Sequence, residues 1–221
     1  MSSRRSRPGR PRHVPAIDSN LSPRDQILDA SARLFTECGF AATSTREIAD
    51  AVGIRQASLY YWFAGKEEIL EELLSRTLRP TLDQIDKIED IGAKSGWAAA
   101  LYVLVMVDSK TLADAPHNSG LLPTCPDVFS LELFKPYKVN RRALYDAYEH
   151  FGSGVAGLPY ICGVRLENNT ASVVRYRVDG DVVDERARHG IAVTALRACG
   201  ATPTEIDFAA ATSWAHLLED E

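Results

Sequence analysis

Hydrophobic residues recur at helical spacing along most of the chain, and the first such stretch begins and ends at typical capping residues. Ser22 suits an N-cap and is followed by a proline at the first helical position. Gly39 suits the left-handed residue that follows a helix. The pattern therefore predicts a first helix between Ser22 and Gly39. Its inward positions are Ile27, Leu28, Leu34 and Phe35.

The next stretch predicts two helices joined by a very short turn. Ser44 and Glu47 have the spacing of a capping box, which predicts a short second helix that ends at Gly53. Only Gly53 and Ile54 separate it from a third helical pattern over 55–63. Two helices with so short a connection cross at a steep angle, which is the helix-turn-helix arrangement.

The third helix carries an aromatic run with two different faces. A helical wheel puts Leu59 and Phe63 on the inward side, and it places Tyr60 and Tyr61 mostly outward. Trp62 lies at the boundary and stays unassigned. The helix is therefore expected to serve as core on one face and as a contact surface on the other.

Helical patterns continue through the rest of the chain. A fourth helix is predicted from Gly65, with a stripe of leucines, and Pro80 kinks or ends it. Residues 152–163 are too rich in glycine for the interior of an element, and 173–183 alternate like a hairpin, although a loop is the preferred interpretation. The remaining predicted helices are Gly96–Leu112, Val128–Phe151, Asp181–Cys199 and a last one capped by Thr202 that runs through Phe208, Trp214 and Leu218.

These patterns predict an all-α protein with an N-terminal three-helix helix-turn-helix domain and a larger C-terminal helical domain. Four cysteines lie far apart without metal-ligand spacing, so neither a zinc site nor a disulfide framework is expected, and a reducing cytoplasm fits. No metal, cofactor or catalytic arrangement is predicted. The longest apolar run is too short for a membrane span.

Charge is distributed unevenly along the chain. Residues 1–24 contain six arginines and one aspartate, so this stretch carries +5, whereas the remainder of the chain carries −10. A basic N-terminal segment on an otherwise acidic chain indicates that this end of the protein binds an anionic polymer. Residues 1–20 are interpreted as a flexible arm, and Arg7, Arg10 and Arg12 resemble the core of an AT-hook, which enters the minor groove. An inert solubilising tail remains an equal alternative.

The outward face of the third helix has the chemistry of a DNA-reading surface. Glutamine can pair with adenine and arginine with guanine in the major groove, and hydroxyl groups can reach phosphates. The base-reading candidates are Arg55, Gln56, Ala57, Ser58 and Tyr60. The phosphate candidates are Thr43, Ser44, Thr45, Arg46, Tyr61 and Lys66.

Residues 22–70, and especially TSTREIADAVGIRQASLYYWFAGKEEIL, resemble the DNA-binding domain of TetR-family transcriptional regulators. The matching features include Ile48-Ala49, the Gly53 turn, Leu59-Tyr60, Phe63 and the segment 66–70. The resemblance implies an all-α homodimer with a C-terminal ligand-binding domain, in which a small molecule relieves repression. Gln56, Ala57, Ser58 and Tyr60 fall where the family reads bases. Thr43, Thr45, Tyr61 and Lys66 fall where the family touches phosphate, whereas Arg55 departs from the usual small N-cap and its role is left open.

The predicted C-terminal domain, residues 67–221, is called the body, and its sequence gives weaker indications of function. Six aromatic side chains and one methionine are candidates for the lining of a ligand pocket, although packing in the core explains them equally well. These candidates are Trp97, Tyr102, Met106, Phe129, Phe134, Tyr145 and Tyr148. The last two helices are expected to pair with a second subunit as a four-helix bundle.

The sequence therefore predicts a cytoplasmic, ligand-responsive repressor that binds a double-stranded, pseudo-palindromic operator as a homodimer. Three segments are expected: an arm over 1–20, a helix-turn-helix domain over 21–66, and a ligand-binding and dimerisation domain over 67–221. Two alternatives stay open. One is an activator or autoregulator with the same helix-turn-helix domain, and the other is a helical ligand sensor that does not bind DNA.

Overall fold

The computed structural model describes residues 21–160 and 163–217, and it describes 213–217 by their backbone alone. These residues form helices and connecting turns, and no strand occurs among them. A 3₁₀ segment spans Pro116–Thr124. The helices are α1 (Pro23–Cys38), α2 (Thr45–Val52), α3 (Gln56–Trp62), α4 (Lys66–Arg76), α5 (Arg79–Leu82), α6 (Ile85–Ser95), α7 (Trp97–Asp114), α8 (Pro126–Phe129), α9 (Phe134–Ala156), α10 (Gly163–Thr170), α11 (Ser172–Val178), α12 (Glu185–Ala198) and α13 (Pro203–Leu217).

The first three helices form the predicted helix-turn-helix unit. Both bonds of the capping box between Ser44 and Glu47 are present, and Ser22 accepts a hydrogen bond from the first turn of α1. Gly53 has φ = 73°, a left-handed conformation that glycine adopts without steric cost. This residue ends α2 and lets α3 follow after a three-residue turn. The all-α class and the local arrangement predicted for this unit are confirmed.

A buried helix organises the larger body. The residues of α7 from Ala99 to Met106 are all buried, and α6, α9, α12 and α13 pack around this helix. Because this part of α7 is apolar on every side, it has no face left for solvent, as its sequence predicts. The core of the body therefore lies around α7.

The body differs from the prediction between residues 128 and 183. The α9 helix begins at Phe134 rather than near Val128, and it continues to Ala156, although the glycines after 151 argue against an element there. Gly154 fits inside this helix because the Trp97 ring lies against it, where a Cβ would be within 2.5 Å of ring atoms. The interpretation that 152–163 is too rich in glycine for the interior of an element is therefore wrong for 152–156, which lie inside α9.

The stretch predicted as a hairpin or loop is also largely helical. Residues 172–178 form α11, and Gly180, with φ = 83°, lies in the turn that follows. The next helix, α12, starts at Glu185 instead of near Asp181, because the Asp184 side chain caps it. The alternation of apolar and polar residues in 173–178 therefore reflects a short helix with one buried residue, Val173, and not strand pairing.

Some elements of the structure were not predicted from the sequence. Among them are α6 and the 3₁₀ segment, in which His117 and Asn118 have positive φ values of 34° and 52°. The 3₁₀ segment packs against both α1 and α4 and thus connects the body to the N-terminal unit. Pro80, predicted to kink or end the fourth helix, lies in the first turn of the separate helix α5.

Candidate nucleic-acid interface and body cavity

The α3 helix divides its side chains between core and surface as the helical period predicts. Leu59 and Phe63 are 0% and 1% exposed, whereas Tyr60 and Tyr61 are 50% and 81% exposed. Trp62, unassigned from the sequence, is half-exposed and makes an edge-to-face contact with Tyr61, with ring centroids 5.1 Å apart. The helix is thus anchored by two apolar residues and presents the rest outward.

Three of the predicted DNA contacts form one hydrogen-bonded group on this surface. The Gln56 side-chain amide donates to the Thr45 hydroxyl at 2.8 Å and lies 3.4 Å from the Tyr60 hydroxyl. The hydroxyls of Thr45 and Tyr60 are 3.2 Å apart. These bonds restrict the side-chain rotamers, so the first residue of α2 and two residues of α3 are held together in one orientation.

The remaining outward candidates on α2 and α3 are exposed. Arg46, Arg55, Ala57 and Ser58 all point to solvent. Arg55 is the N-cap residue of α3, yet its side chain makes no capping hydrogen bond. Its guanidinium group is therefore available for a contact outside the protein.

Lys66, a predicted phosphate contact, is used inside the N-terminal unit. Its ammonium group donates to the backbone carbonyls of Phe40, Ala41 and Thr43 at 2.8, 3.3 and 2.9 Å. It also lies 4.5 Å from the centroid of the Phe40 ring. In this conformation Lys66 holds the loop before α2.

Two further phosphate candidates are also engaged internally. The Thr43 side chain is buried, with its hydroxyl 2.8 Å from the Gly39 carbonyl. The Ser44 hydroxyl exchanges hydrogen bonds with Glu47 in the capping box. Thr45, Arg46 and Tyr61 remain accessible, and Arg7, Arg10 and Arg12 lie outside the described residues.

The body contains a cavity of about 190 Å³ that sequence reasoning did not locate. It lies below the end of α4, among α7, the 3₁₀ segment, α9, α10 and α11. None of the seven predicted pocket residues lines it. Its polar lining consists of Thr77, Asp108, Thr124, Tyr137, Arg141, Glu167 and Asn168.

The seven predicted pocket residues do not form one site, because only Phe129 and Phe134 make a ring contact with each other, at 5.6 Å between centroids, and most of the seven pack in the core. Met106, Phe134 and the ring of Tyr102 are buried; Tyr145 is partly buried beside Arg141. Trp97 covers Gly154, and Phe129 is 57% exposed beneath Lys138. Three of them touch residues that line the cavity: Tyr148 donates a hydrogen bond to Asp108, Tyr145 lies beside Arg141, and Phe134 packs against Tyr137.

Asp108 is the most unusual group of the cavity. It is 1% exposed, and its two oxygens lie 3.2 Å from the Thr81 hydroxyl and 2.8 Å from the Tyr148 hydroxyl. Burial raises the pKa of Asp108 to about 7, because these neutral partners offset only part of the lost hydration. Burial also raises the pKa of Tyr148 well above its ordinary value, so this hydroxyl stays protonated.

Glu167 and Arg141 face the same cavity. The guanidinium nitrogen Nη2 of Arg141 is 3.4 Å from both carboxylate oxygens of Glu167, a long contact, and Nε of Arg141 is buried without a partner. Burial raises the pKa of the Glu167 carboxyl, and Arg141 offsets part of this change. A signal for the site was present in the sequence, since Asp108 is an isolated acid directly after the apolar run of α7.

The described part of the chain shows no candidate metal site and no candidate membrane-spanning helix. No three or more His, Cys, Asp or Glu side chains within 21–160 and 163–217 are grouped so that they could hold a metal ion. Among the same residues, no helix has the length and hydropathy of a membrane span.

Known proteins resemble this chain in two ways. The family model of bacterial regulatory proteins of the tetR family matches residues 27–73. The repressor KstR2 of Rhodococcus jostii is 36% identical over 96 residues, which are 43% of this chain and 46% of that protein. KstR2 of Mycobacterium tuberculosis is 49% identical over 53 residues, or 24% of this chain and 26% of that protein. The matched stretches thus span less than half of each of these two curated relatives.

A solved structure extends the similarity over the body. The crystal structure of AmtR from Mycobacterium smegmatis superimposes with a TM-score of 0.77 and 35% identity, over 88% of this chain and 94% of AmtR. The match includes the helices behind the DNA-binding unit as well as the unit itself. This chain therefore belongs to the TetR family of bacterial regulatory proteins, which are DNA-binding transcriptional regulators with a helix-turn-helix.

Proposed function

We propose that this protein is a transcriptional repressor that binds a pseudo-palindromic operator as a homodimer and leaves it when a small molecule occupies the body. The observation that carries the proposal is the outer face of α3, where Gln56 and Tyr60 are exposed yet fixed by hydrogen bonds to Thr45. Exposed tyrosine and glutamine held in one orientation suit a surface that meets base edges. KstR2, which matches this part of the chain, is itself named a transcriptional repressor.

The proposed docking places α3 in the major groove. Arg55 and Gln56 lie at its N-terminal end, the part of a recognition helix that normally contacts bases, and Ala57 and Ser58 allow close approach. Thr45, Arg46 and Tyr61 are positioned to contact phosphates. Lys66, Thr43 and Ser44 support this surface through the loop before α2. The arginines Arg7, Arg10 and Arg12 would follow the adjacent minor groove.

The proposed domain boundaries follow from these roles. Residues 1–20 form the arm, 21–66 the DNA-binding domain, and 67–221 the domain that binds the effector and the second subunit. The helices α12 and α13 are proposed as the dimer interface. Gly190, Thr194 and Ala198 form an exposed line of small residues on α12, and Phe208 of α13 is 59% exposed. Such a surface suits close helix packing in a four-helix bundle.

The release mechanism uses α4 as the connection between the two domains. This helix begins with Lys66, which holds the loop before α2, and it ends just before Thr77 and Leu78, which line the cavity. An effector in the cavity that favours a shifted α4 would change the separation of the two α3 helices of a dimer. A complete switch requires roughly 10⁴-fold preference of the effector for the shifted conformation.

A mobility-shift assay tests the DNA-binding part of the proposal. The full chain is mixed with DNA from upstream of its own coding region, and with DNA selected from a random pool, in the cytoplasmic salt range where the protein would act. We expect Gln56→Ala with Tyr60→Ala to weaken binding by about 10- to 100-fold, because each good base contact is worth about 1–3 kcal/mol. Tyr176→Ala, which changes an exposed tyrosine of the body, is the matched control.

A reporter assay then distinguishes the remaining functions. Repression predicts increased expression from the bound promoter when the protein is removed, whereas an activator predicts decreased expression. If the wild-type chain selects no DNA from the random pool, the protein is a sensor without DNA binding and the proposal is wrong.

A further inference from the structure

The body cavity contains two buried carboxylates and one buried cation. Asp108, from α7, and Glu167, from α10, are 1% and 5% exposed. Arg141, from α9, is the one basic side chain among the residues that line the cavity, and it pairs with Glu167. With both acids ionised, the lining carries one uncompensated negative charge.

Asp108 carries that charge. Its neighbours Thr81 and Tyr148 are neutral hydroxyl groups, and no basic side chain of the described residues lies within salt-bridge distance of it. A buried carboxylate without a cation is costly, and the protein accommodates it by raising the pKa of Asp108 to about 7. A ligand cation would remove this cost directly.

Arg141 adds an unsatisfied donor to the same cavity. Its Nε–H is buried and has no acceptor, and its contacts with Glu167 are long, at 3.4 Å. A buried donor without a partner loses its hydration and gains nothing in return. An acceptor oxygen on a ligand, placed next to Arg141, would satisfy it.

The volume of the cavity limits the ligand to a small molecule. About 190 Å³ corresponds to roughly six water molecules at their volume in the liquid, below the usual range for pockets that hold drug-sized ligands. The apolar part of the wall, with Leu78, Leu112 and Leu144, suits a short carbon chain.

We propose that the effector cavity binds a small organic ammonium ion that also carries an oxygen acceptor, with the ammonium on Asp108 and the oxygen toward Nε of Arg141. The assignment rests on the proposed function, because it names the chemical class of the effector. It excludes anionic ligands, which would add a further negative charge beside Asp108 and Glu167.

Thermal unfolding of the full chain tests the assignment with small compounds of similar size. Ethanolamine and 3-aminopropanol are the cationic probes, ethylene glycol is the neutral probe and glycolate is the anionic probe, all at equal ionic strength and about pH 8, where the Asp108 carboxylate is charged. We expect the amines alone to raise the unfolding midpoint in a saturable manner. Titration calorimetry with the same probes gives the affinities.

Two acid-to-amide variants locate the binding site. Asp108→Asn keeps the size of the side chain and should weaken amine binding by about 10- to 100-fold, as expected for a hydrogen bond to a charged group. Glu167→Gln should weaken it less, because Arg141 already pairs with that acid. Asp181→Asn, an exposed acid that does not line the cavity, changes the net charge equally and should leave binding unchanged.

Three results would overturn the assignment: no saturable binding of either amine, equal stabilisation by glycol or glycolate, or unchanged amine affinity in Asp108→Asn. Circular dichroism of each variant shows whether it is folded. If Asp108→Asn does not fold, Glu167→Gln provides the test, and unchanged amine affinity in that variant would then overturn the assignment. The mobility-shift assay is independent of these measurements. Operator binding without amine binding overturns the ligand class alone, whereas amine binding without operator binding overturns the repressor function.

Discussion

Lys66 shows how a single residue can serve the fold where the family pattern suggests a DNA contact. Its ammonium group donates hydrogen bonds to the carbonyls of Phe40, Ala41 and Thr43. We expect Lys66→Ala to lower the free energy of unfolding by about 1–3 kcal/mol, because three carbonyls lose a charged donor. Urea unfolding measures this change, and Lys94→Ala, an exposed lysine of α6, is the control. Equal stability of the two variants would show that Lys66 has no structural role.

Asp108 predicts a specific dependence of stability on pH. Its pKa in the folded protein, about 7, is above the value of about 4 in an unfolded chain. Its contribution to folding is therefore complete below about pH 4 and is lost as the pH rises through 7. Relative to Asp108→Asn, the wild-type chain should lose about 1.4 kcal/mol per pH unit between these limits.

Urea unfolding of both chains over that pH range checks the prediction. The difference between the two curves gives the contribution of Asp108 to the free energy of unfolding. Other carboxyls titrate in both chains: the raised pKa of Glu167 acts in the same direction as that of Asp108, and the lowered pKa values of Asp25 and Glu72 act in the opposite direction. Parallel curves would contradict the assignment of a buried, unpaired carboxylate.

At the scale of elements, the 3₁₀ segment and α8 connect the body to the DNA-binding domain. Asp127 of α8 accepts a hydrogen bond from the backbone N–H of Ala41 at 2.8 Å, close to the loop that Lys66 holds. We expect Asp127→Ala to increase amide exchange at Ala41 about tenfold, because this N–H loses a charged acceptor. Exchange measured by NMR, with Asp181→Ala as the control, checks this. Unchanged protection at Ala41 would show that the contact between the domains does not depend on Asp127.

The elements with strong local signals could be predicted from the sequence. Ser22, Ser44, Glu47 and Gly53 set the limits of α1 and α2 through caps and turns that involve neighbours within a few residues. The partition of α3 follows from the helical period alone. The outer face of α3 could therefore be identified from the amino-acid sequence. The internal bonds of Lys66 could not, because their partners lie 23 to 26 residues away.

The body was harder to predict because long-range packing decides its elements. Gly163 begins α10 against the backbone of α9, where a Cβ would clash with the Tyr145 carbonyl. No local pattern signals such a contact. The cavity escaped for the same reason, since Asp108, Arg141 and Glu167 come from three helices that meet only in the folded chain.

At the scale of the whole molecule, the proposal requires two copies of the chain. Thr194 lies in the middle of the exposed line of small residues on α12. We expect Thr194→Arg to convert a dimer into a monomer and to reduce operator affinity, because a bulky charge prevents close helix packing. Sedimentation velocity measures the mass, and Arg186→Lys, at an exposed position of the same helix, is the control. A Thr194→Arg dimer would place the interface elsewhere.

The central claim is that α3 of each subunit reads one half of a symmetric operator. Footprinting of the wild-type chain on its selected DNA tests this claim most directly. The proposed function predicts two protected half-sites related by a dyad, with centres about one helical turn or a multiple of it apart. At the protein concentration that just protects both in the wild type, the chain with Gln56→Ala and Tyr60→Ala should protect neither. Protection of a single asymmetric site, or a footprint of this variant at the same concentration as the wild type, would contradict it.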